Sequence, residues 1–309
     1  MNRLIVLSFV VLVAACVFNE AEDSTPSYTP VESWYELPSG WELGHASGVG
    51  VDSLGQVYLF HRDEHPIIAL DEDGKVARSW GDDLIKDAHG LEIDSDDNVW
   101  VTDRKTHTVM KFKPTGELLL ELGTRDSPGE DSTHFDRPAD VDFGPDGSVY
   151  VADGYGNRRV VKFSKSGEYV KAWGKSGSQP GEFQREVHTI AADRQGRVYV
   201  GEKHTPDREG RVQIFDADGN FITQWIHVGA PWGLDIGVDG YIYLCDGFRN
   251  RVLKIDREGK IQSSFGTPGT RPGQFKNTHL LAVGPELEIY VAETQNRRVQ
   301  KFVLTSSVE

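Results

Sequence analysis

One short pattern recurs six times along the chain and limits the possible folds more than any other feature. The runs VYLFH (57–61), VWVTD (99–103), VYVAD (149–153), VYVGE (198–202), IYLCD (242–246) and IYVAE (289–293) are rich in β-branched and aromatic residues, and all but the first end in an acid. Each follows a tight-turn cluster such as DSDDN, GPDGS, DRQGR or GVDGY, with a short strand such as GLEID or GLDIG before it. A third strand follows (TVMKFKP, RVVKFSK, RVQIFDA, RVLKIDR), then a fourth that ends near Trp-Gly. Strand, turn, strand at this spacing predicts four-stranded antiparallel meanders. The last residues of the shared runs lie 42 to 50 residues apart, the period of propeller blades.

The expected fold is therefore all-β, a six-bladed β-propeller, whose closed ring leaves few exposed edges. The sixth copy stops at Val303-Leu304 without a fourth strand. An N-terminal strand around Ser33-Trp34-Tyr35-Glu36-Leu37 is expected to supply it. Trp80, Trp173 and Trp225, at the ends of fourth strands, read as packing between blades. The Asp-Gly turns are hairpin chemistry, and none sits in a twelve-residue EF-hand loop.

One column of the repeat departs from structural chemistry. Fourteen positions before the end of each shared run stand Ser47, His89, Ala139, His188, Trp232 and His279. Histidine occupies every second blade, always at the start of the innermost strand. Innermost strands line the channel, so alternate blades of a six-fold ring aim three imidazoles inward at threefold spacing. Three imidazoles with a fourth position open is the arrangement of a catalytic zinc site. Nitrogens of different residues should then lie within about 3–4 Å of one another. Residues just after the second strands surround the same mouth: Arg62, Arg104, Tyr155, Lys203 and Phe248. A ring of cations there suits a carboxylate-bearing substrate.

Charge and leader add boundaries. The 48 acidic and 33 basic residues give a net charge of −15, which argues against a nucleic-acid partner. Residues 4–15 (LIVLSFVVLVAA) are apolar and too short to span a bilayer, as in a signal peptide. The run ends Val13-Ala14-Ala15-Cys16, which resembles the lipobox of bacterial lipoproteins, where the cysteine is lipidated. The expected domains are a lipoprotein-type signal at 1–16, a polar tether at 17–32 and the propeller at 33–309. That implies export to the bacterial cell envelope, with membrane contact through the lipid anchor only. Cys245 is then the one remaining cysteine, and an inert buried thiol is its expected state.

The stretches SGVGVDSLGQVYLFHRDEHP, HGLEIDSDDNVWVTD and THFDRPADVDFGPDGSVYVADGYGNRRVVKFS resemble the peptidyl-α-hydroxyglycine α-amidating lyase family, six-bladed propellers related to NHL-repeat proteins. The resemblance runs from about Trp41 to Phe302. It implies zinc ligands at His89, His188 and His279, a substrate-binding arginine at Arg62 in Phe-His-Arg, and a catalytic tyrosine at Tyr155 in Asp-Gly-Tyr. The family's second arginine has no direct counterpart: the chain reads Gly201-Glu202-Lys203-His204 with a longer loop to Arg208, so Lys203 or Arg208 takes that place. The family's structural calcium implies carbonyls at Val49 and Leu91 and an aspartate where this chain has Leu280, which leaves the calcium set incomplete.

The leading reading is a zinc-dependent lyase cleaving peptidyl-α-hydroxyglycine to a peptide amide and glyoxylate, or acting on a similar small carboxylate-bearing substrate. The rival is a non-catalytic, surface-anchored propeller that binds a peptide, glycan or protein through the same mouth. A calcium-dependent lactonase has less support, because the histidine column contains no carboxylate. The absence of a G-x-S-x-G element leaves serine hydrolysis without support.

Overall fold

A computed structural model describes residues 27–203 and 210–305 of the chain. Six four-stranded antiparallel sheets follow one another, and no helix occurs among the described residues. Blade 1 runs from His45–Val51 to Val76–Trp80 and blade 2 from Ala88–Ile93 to Leu118–Leu122. Blade 3 runs from Asp140–Phe143 to Tyr169–Trp173, blade 4 from Val187–Ala192 to Phe221–Ile226, and blade 5 from Pro231–Ile236 to Ile261–Phe265. The first strand of each blade contacts the first strands of its neighbours, so these strands line the channel.

Blade 6 combines both ends of the chain. Its inner strands are Thr278–Val283, Ile289–Glu293 and Arg298–Thr305, and its outer strand is Ser27–Val31. Ser27 pairs with Thr305 and Val31 with Lys301. An N-terminal strand thus closes the ring, but from within the expected tether rather than from Ser33–Leu37. Trp34 instead straps the blade: its indole donates to the Val299 carbonyl at 3.0 Å, and its ring packs on Tyr290.

The interior is a ring of six apolar clusters, one between each pair of adjacent blades. The second residue of every shared run (Tyr58, Trp100, Tyr150, Tyr199, Tyr243, Tyr290) is fully buried there. Four of them reach the turn of their own hairpin with the polar tip: Tyr58, Trp100, Tyr199 and Tyr243 donate to Asp52, Asp94, Asp193 and Asp239. The expected tryptophan packing holds. Trp173, for example, lies on Gly219 of the next blade, where φ is 77° and a Cβ would overlap the indole. Cys245 is buried, and burial pushes its thiol well above the usual range.

The acidic residue that ends most of the shared runs has a positional job. Asp103 accepts from the amides of Lys86 and Asp87, Asp153 from Asp136, Glu202 from Gln184 and Arg185, Asp246 from Ala230, and Glu293 from Lys276. Each carboxylate therefore pins the segment that leads into its inner strand. In blade 1, His61 takes the role, with Nδ1 accepting from the Gly44 amide at 3.0 Å.

Candidate metal centre

The segment pinned in this way carries the histidine column. In blades 2, 4 and 6 the pairing of the inner strand shifts register at the column: between Ala88 and Leu91, Val187 and Thr189, and Thr278 and Leu281. A bulge of this kind re-aims a side chain that regular alternation would send elsewhere. His89, His188 and His279 are all buried, and their ring centroids lie 4.6–5.0 Å apart. One ring nitrogen of each lies within 4.8 Å of the other two, somewhat wider than the 3–4 Å expected for a closed metal cage.

The alternation in the column has a reason beyond the histidines. His89 Nδ1 meets the Ala139 carbonyl at 2.6 Å, His188 Nδ1 that of Trp232 at 2.8 Å, and His279 Nδ1 that of Ser47 at 2.6 Å. Each imidazole is thus oriented by the backbone of the next blade's column member. A carbonyl only accepts, so Nδ1 carries the proton and Nε2 is left with its lone pair free for a ligand. His188 Nε2 is buried and has no hydrogen-bond partner, an arrangement that costs stability unless something fills the space before it. Burial holds His89 and His188 well below the ordinary imidazole range, helped most by the neighbouring imidazoles. His279 falls to about 3, through burial and then Arg62. Three neutral imidazoles converging on one point fit a metal ion.

Four of the five expected mouth residues, Arg62, Arg104, Tyr155 and Lys203, gather beside these rings. The Tyr155 hydroxyl lies 3.0 Å from His89 Nε2. Its loop fits closely, since a Cβ at Gly154 would overlap the Val187 carbonyl beside His188. Arg62 Nε donates to the Ala88 carbonyl at 2.8 Å and pairs with Asp87 at 3.1 Å. Arg104 pairs with the same Asp87 at 2.8 Å and stands 4.8 Å over the Tyr155 ring. Lys203 Nζ lies 5.3 Å from that ring and 5.2 Å from the Trp232 ring. Phe248 is half exposed. Arg208 lies outside the described residues, as does Cys16.

Val49 and Leu91 lie buried on adjacent inner strands, and Leu280 presents buried apolar surface where the family resemblance implies an aspartate. Reading the histidine column alone missed a second polar layer on the inner strands. Three positions beyond the column stand Glu92, Asp142 and Asp235, with Asp140 one position beyond it. Asp142 accepts from Ala192, Asp235 from Val283, and Asp140 from Thr189 and Ile190, each in the following blade. Counting the offset of three through all six copies would have found Glu92, Asp142 and Asp235. Among the described residues, the three histidines are the one group of three or more His, Cys, Asp and Glu side chains close enough to share an ion.

Fold and site together define an NHL-type six-bladed propeller with a three-imidazole site able to hold a metal at one mouth of its channel. The NHL repeat model matches residues 135–163. Peptidyl-glycine alpha-amidating monooxygenase of Mus musculus is 31% identical over 90% of this chain, which spans 32% of that relative, about a third of its length. Peptidyl-alpha-hydroxyglycine alpha-amidating lyase 1 of Drosophila melanogaster is 31% identical over 85% of this chain and 57% of its own. NHL repeat-containing protein 3 of Homo sapiens is 29% identical over 91% and 89%. Among solved structures, a streptogramin B lyase superposes with a TM-score of 0.62 at 14% identity, covering 91% of this chain and 98% of its own, a likeness of fold. Over most of its length the chain is similar to proteins named peptidyl-α-hydroxyglycine α-amidating lyases, and it spans about a third to a half of the length of the curated relatives at 31% identity.

Proposed function

We propose that the protein is a zinc-dependent lyase that converts a peptidyl-α-hydroxyglycine to a peptide amide and glyoxylate, or is a close relative acting on a similar small carboxylate-bearing substrate. The observation that carries this reading is the placement of the Tyr155 hydroxyl 3.0 Å from His89 Nε2, at the convergence of three neutral imidazoles. An all-imidazole set with one open position suits zinc, which when bound would acidify the substrate hydroxyl. His89, His188 and His279 would hold it. Tyr155, its own proton first released to solvent, takes the hydroxyl proton, the C–N bond breaks as the aldehyde carbonyl forms, and the amide nitrogen receives that proton from Tyr155. Atoms and charge balance without an oxidant. Arg62, fixed on the strand of His89 through the Ala88 carbonyl, holds the carboxylate that becomes that of glyoxylate.

The test is metal analysis of the purified protein together with glyoxylate release from an N-acyl-α-hydroxyglycine. One zinc per chain and stoichiometric glyoxylate and amide support the reading, whereas folded protein without zinc or activity removes it. Zinc with no turnover would favour a binding propeller, a reading that also draws on the likeness to a relative named only for its repeats. We further propose that Cys16 is lipidated and holds the protein at the bacterial cell envelope. Fatty-acid labelling that survives Cys16→Ala would dismiss that.

A further inference from the structure

We propose that Arg104 is a second carboxylate-binding residue of this site, joined to Arg62 as one fork by the carboxylate they share, Asp87. The inference rests on the reading of a carboxylate-bearing substrate and deepens it. One Asp87 stands between two guanidiniums: Arg62 Nε at 3.1 Å, and one terminal nitrogen of Arg104 at 2.8 and 3.0 Å from its two oxygens. A single carboxylate leaves one positive charge uncompensated, and both side chains are mostly removed from solvent. Arg104 spends that one nitrogen on Asp87, while its Nε is buried with no hydrogen-bond partner. A guanidinium serving only as a structural ion pair has no reason to keep a buried donor idle.

Position points the same way. The Arg104 amide donates to the Asp87 carbonyl at 3.1 Å, while Asp103 holds the amides of Lys86 and Asp87. The fork is therefore rigid before a ligand arrives, which lowers the entropy lost on binding. Its inner tine lies over the Tyr155 ring, whose hydroxyl touches His89. A carboxylate gripped by both arginines would thus sit beside the atoms that react. Two planar donors reading two oxygens discriminate an acid from its ester or amide better than a single arginine.

The test compares zinc-loaded wild type, Arg104→Met and Arg104→Lys on an N-acyl-α-hydroxyglycine and on its methyl ester. Arg104→Met is expected to raise KM for the acid about 10- to 100-fold, with kcat little changed. KM for the ester should stay near wild type, so the preference for acid collapses by the same factor. Arg104→Lys, a point charge in place of a fork, should fall between. It also carries the comparison if Arg104→Met loses zinc or unfolds. An equal loss for acid and ester, or an unchanged preference in the variants, overturns the proposal. If wild type turns over neither compound, the lyase reading fails separately. Calorimetric titration of glycolate against glycolamide then decides: tighter binding of the acid, lost in Arg104→Met, sustains the fork, and equal binding of the two by wild type ends it.

Discussion

At the scale of single residues, the described histidines divide by what their nitrogens face. His188 keeps Nδ1 on the Trp232 carbonyl and leaves Nε2 buried and unsatisfied, whereas His61 uses Nδ1 to hold the Gly44 amide and Nε2 to meet the His65 carbonyl. His188→Ala should therefore abolish zinc uptake and leave the metal-free melting temperature within a few degrees of wild type. His61→Ala should do the reverse, costing about 1–2 kcal/mol of stability while zinc stoichiometry holds. Atomic absorption and calorimetry on the pair check both halves. Tyr155→Phe removes the hydroxyl and leaves the packing, so zinc content should persist while kcat falls about 100-fold or more. Retained turnover in that variant would move the base elsewhere. The three histidines were readable because they recur in one column of the repeat, in every second blade, and Tyr155 because its Asp-Gly-Tyr setting carries the family resemblance. The carbonyls of Ser47, Ala139 and Trp232 were not, since a backbone acceptor leaves no mark on residue type.

At the scale of elements, the blades were legible and the closing strand was displaced. Ser27–Val31 contains Pro30 among polar residues, which reads as a tether, but a proline is tolerated on an outer edge strand. Its actual signal was alternation: Tyr28 is buried between exposed Ser27 and Thr29, and its hydroxyl meets that of Tyr243 in blade 5 at 3.0 Å. Trp34 and Tyr35 looked like the strand because they are aromatic, yet they pack as a strap over the cluster between blades 6 and 1. A chain beginning at Glu32 would leave Arg298–Thr305 as an exposed edge and remove Tyr28 from its cluster. It should unfold several degrees lower than the full chain and associate more readily, by thermal melting and light scattering. Unchanged melting would mean that blade 6 stands on three strands. The acidic run ends show the converse limit: they mark the repeat, yet their hold on the segment before each column residue appears only in three dimensions.

For the whole molecule, the channel is a stack of two layers with opposite protonation chemistry. The imidazole layer favours its neutral form. The carboxyl layer does too: burial pushes Asp140 up to about 7 and Asp235 to about 6, and raises Glu92 and Asp142 well above the usual range, reinforced by their neighbouring acids. In an unfolded chain these acids titrate near 4. Between about pH 4 and 7 the native state therefore binds more of their protons than the unfolded state, and their contribution to stability falls as pH rises. The histidines act oppositely, because unfolding lets them protonate below about 6.5. The wild-type curve sums both, so a difference isolates one. Asp235→Asn resembles the protonated acid and can still accept from the Val283 amide, whose bond to Asp235 is 2.6 Å. It should match wild type in stability near pH 4.5 and exceed it by about 2 kcal/mol at pH 8, measured by urea denaturation of metal-free protein. The opposite result, a variant losing ground as pH rises, would mean that Asp235 is ionised in the native channel and stabilised there by positive charge.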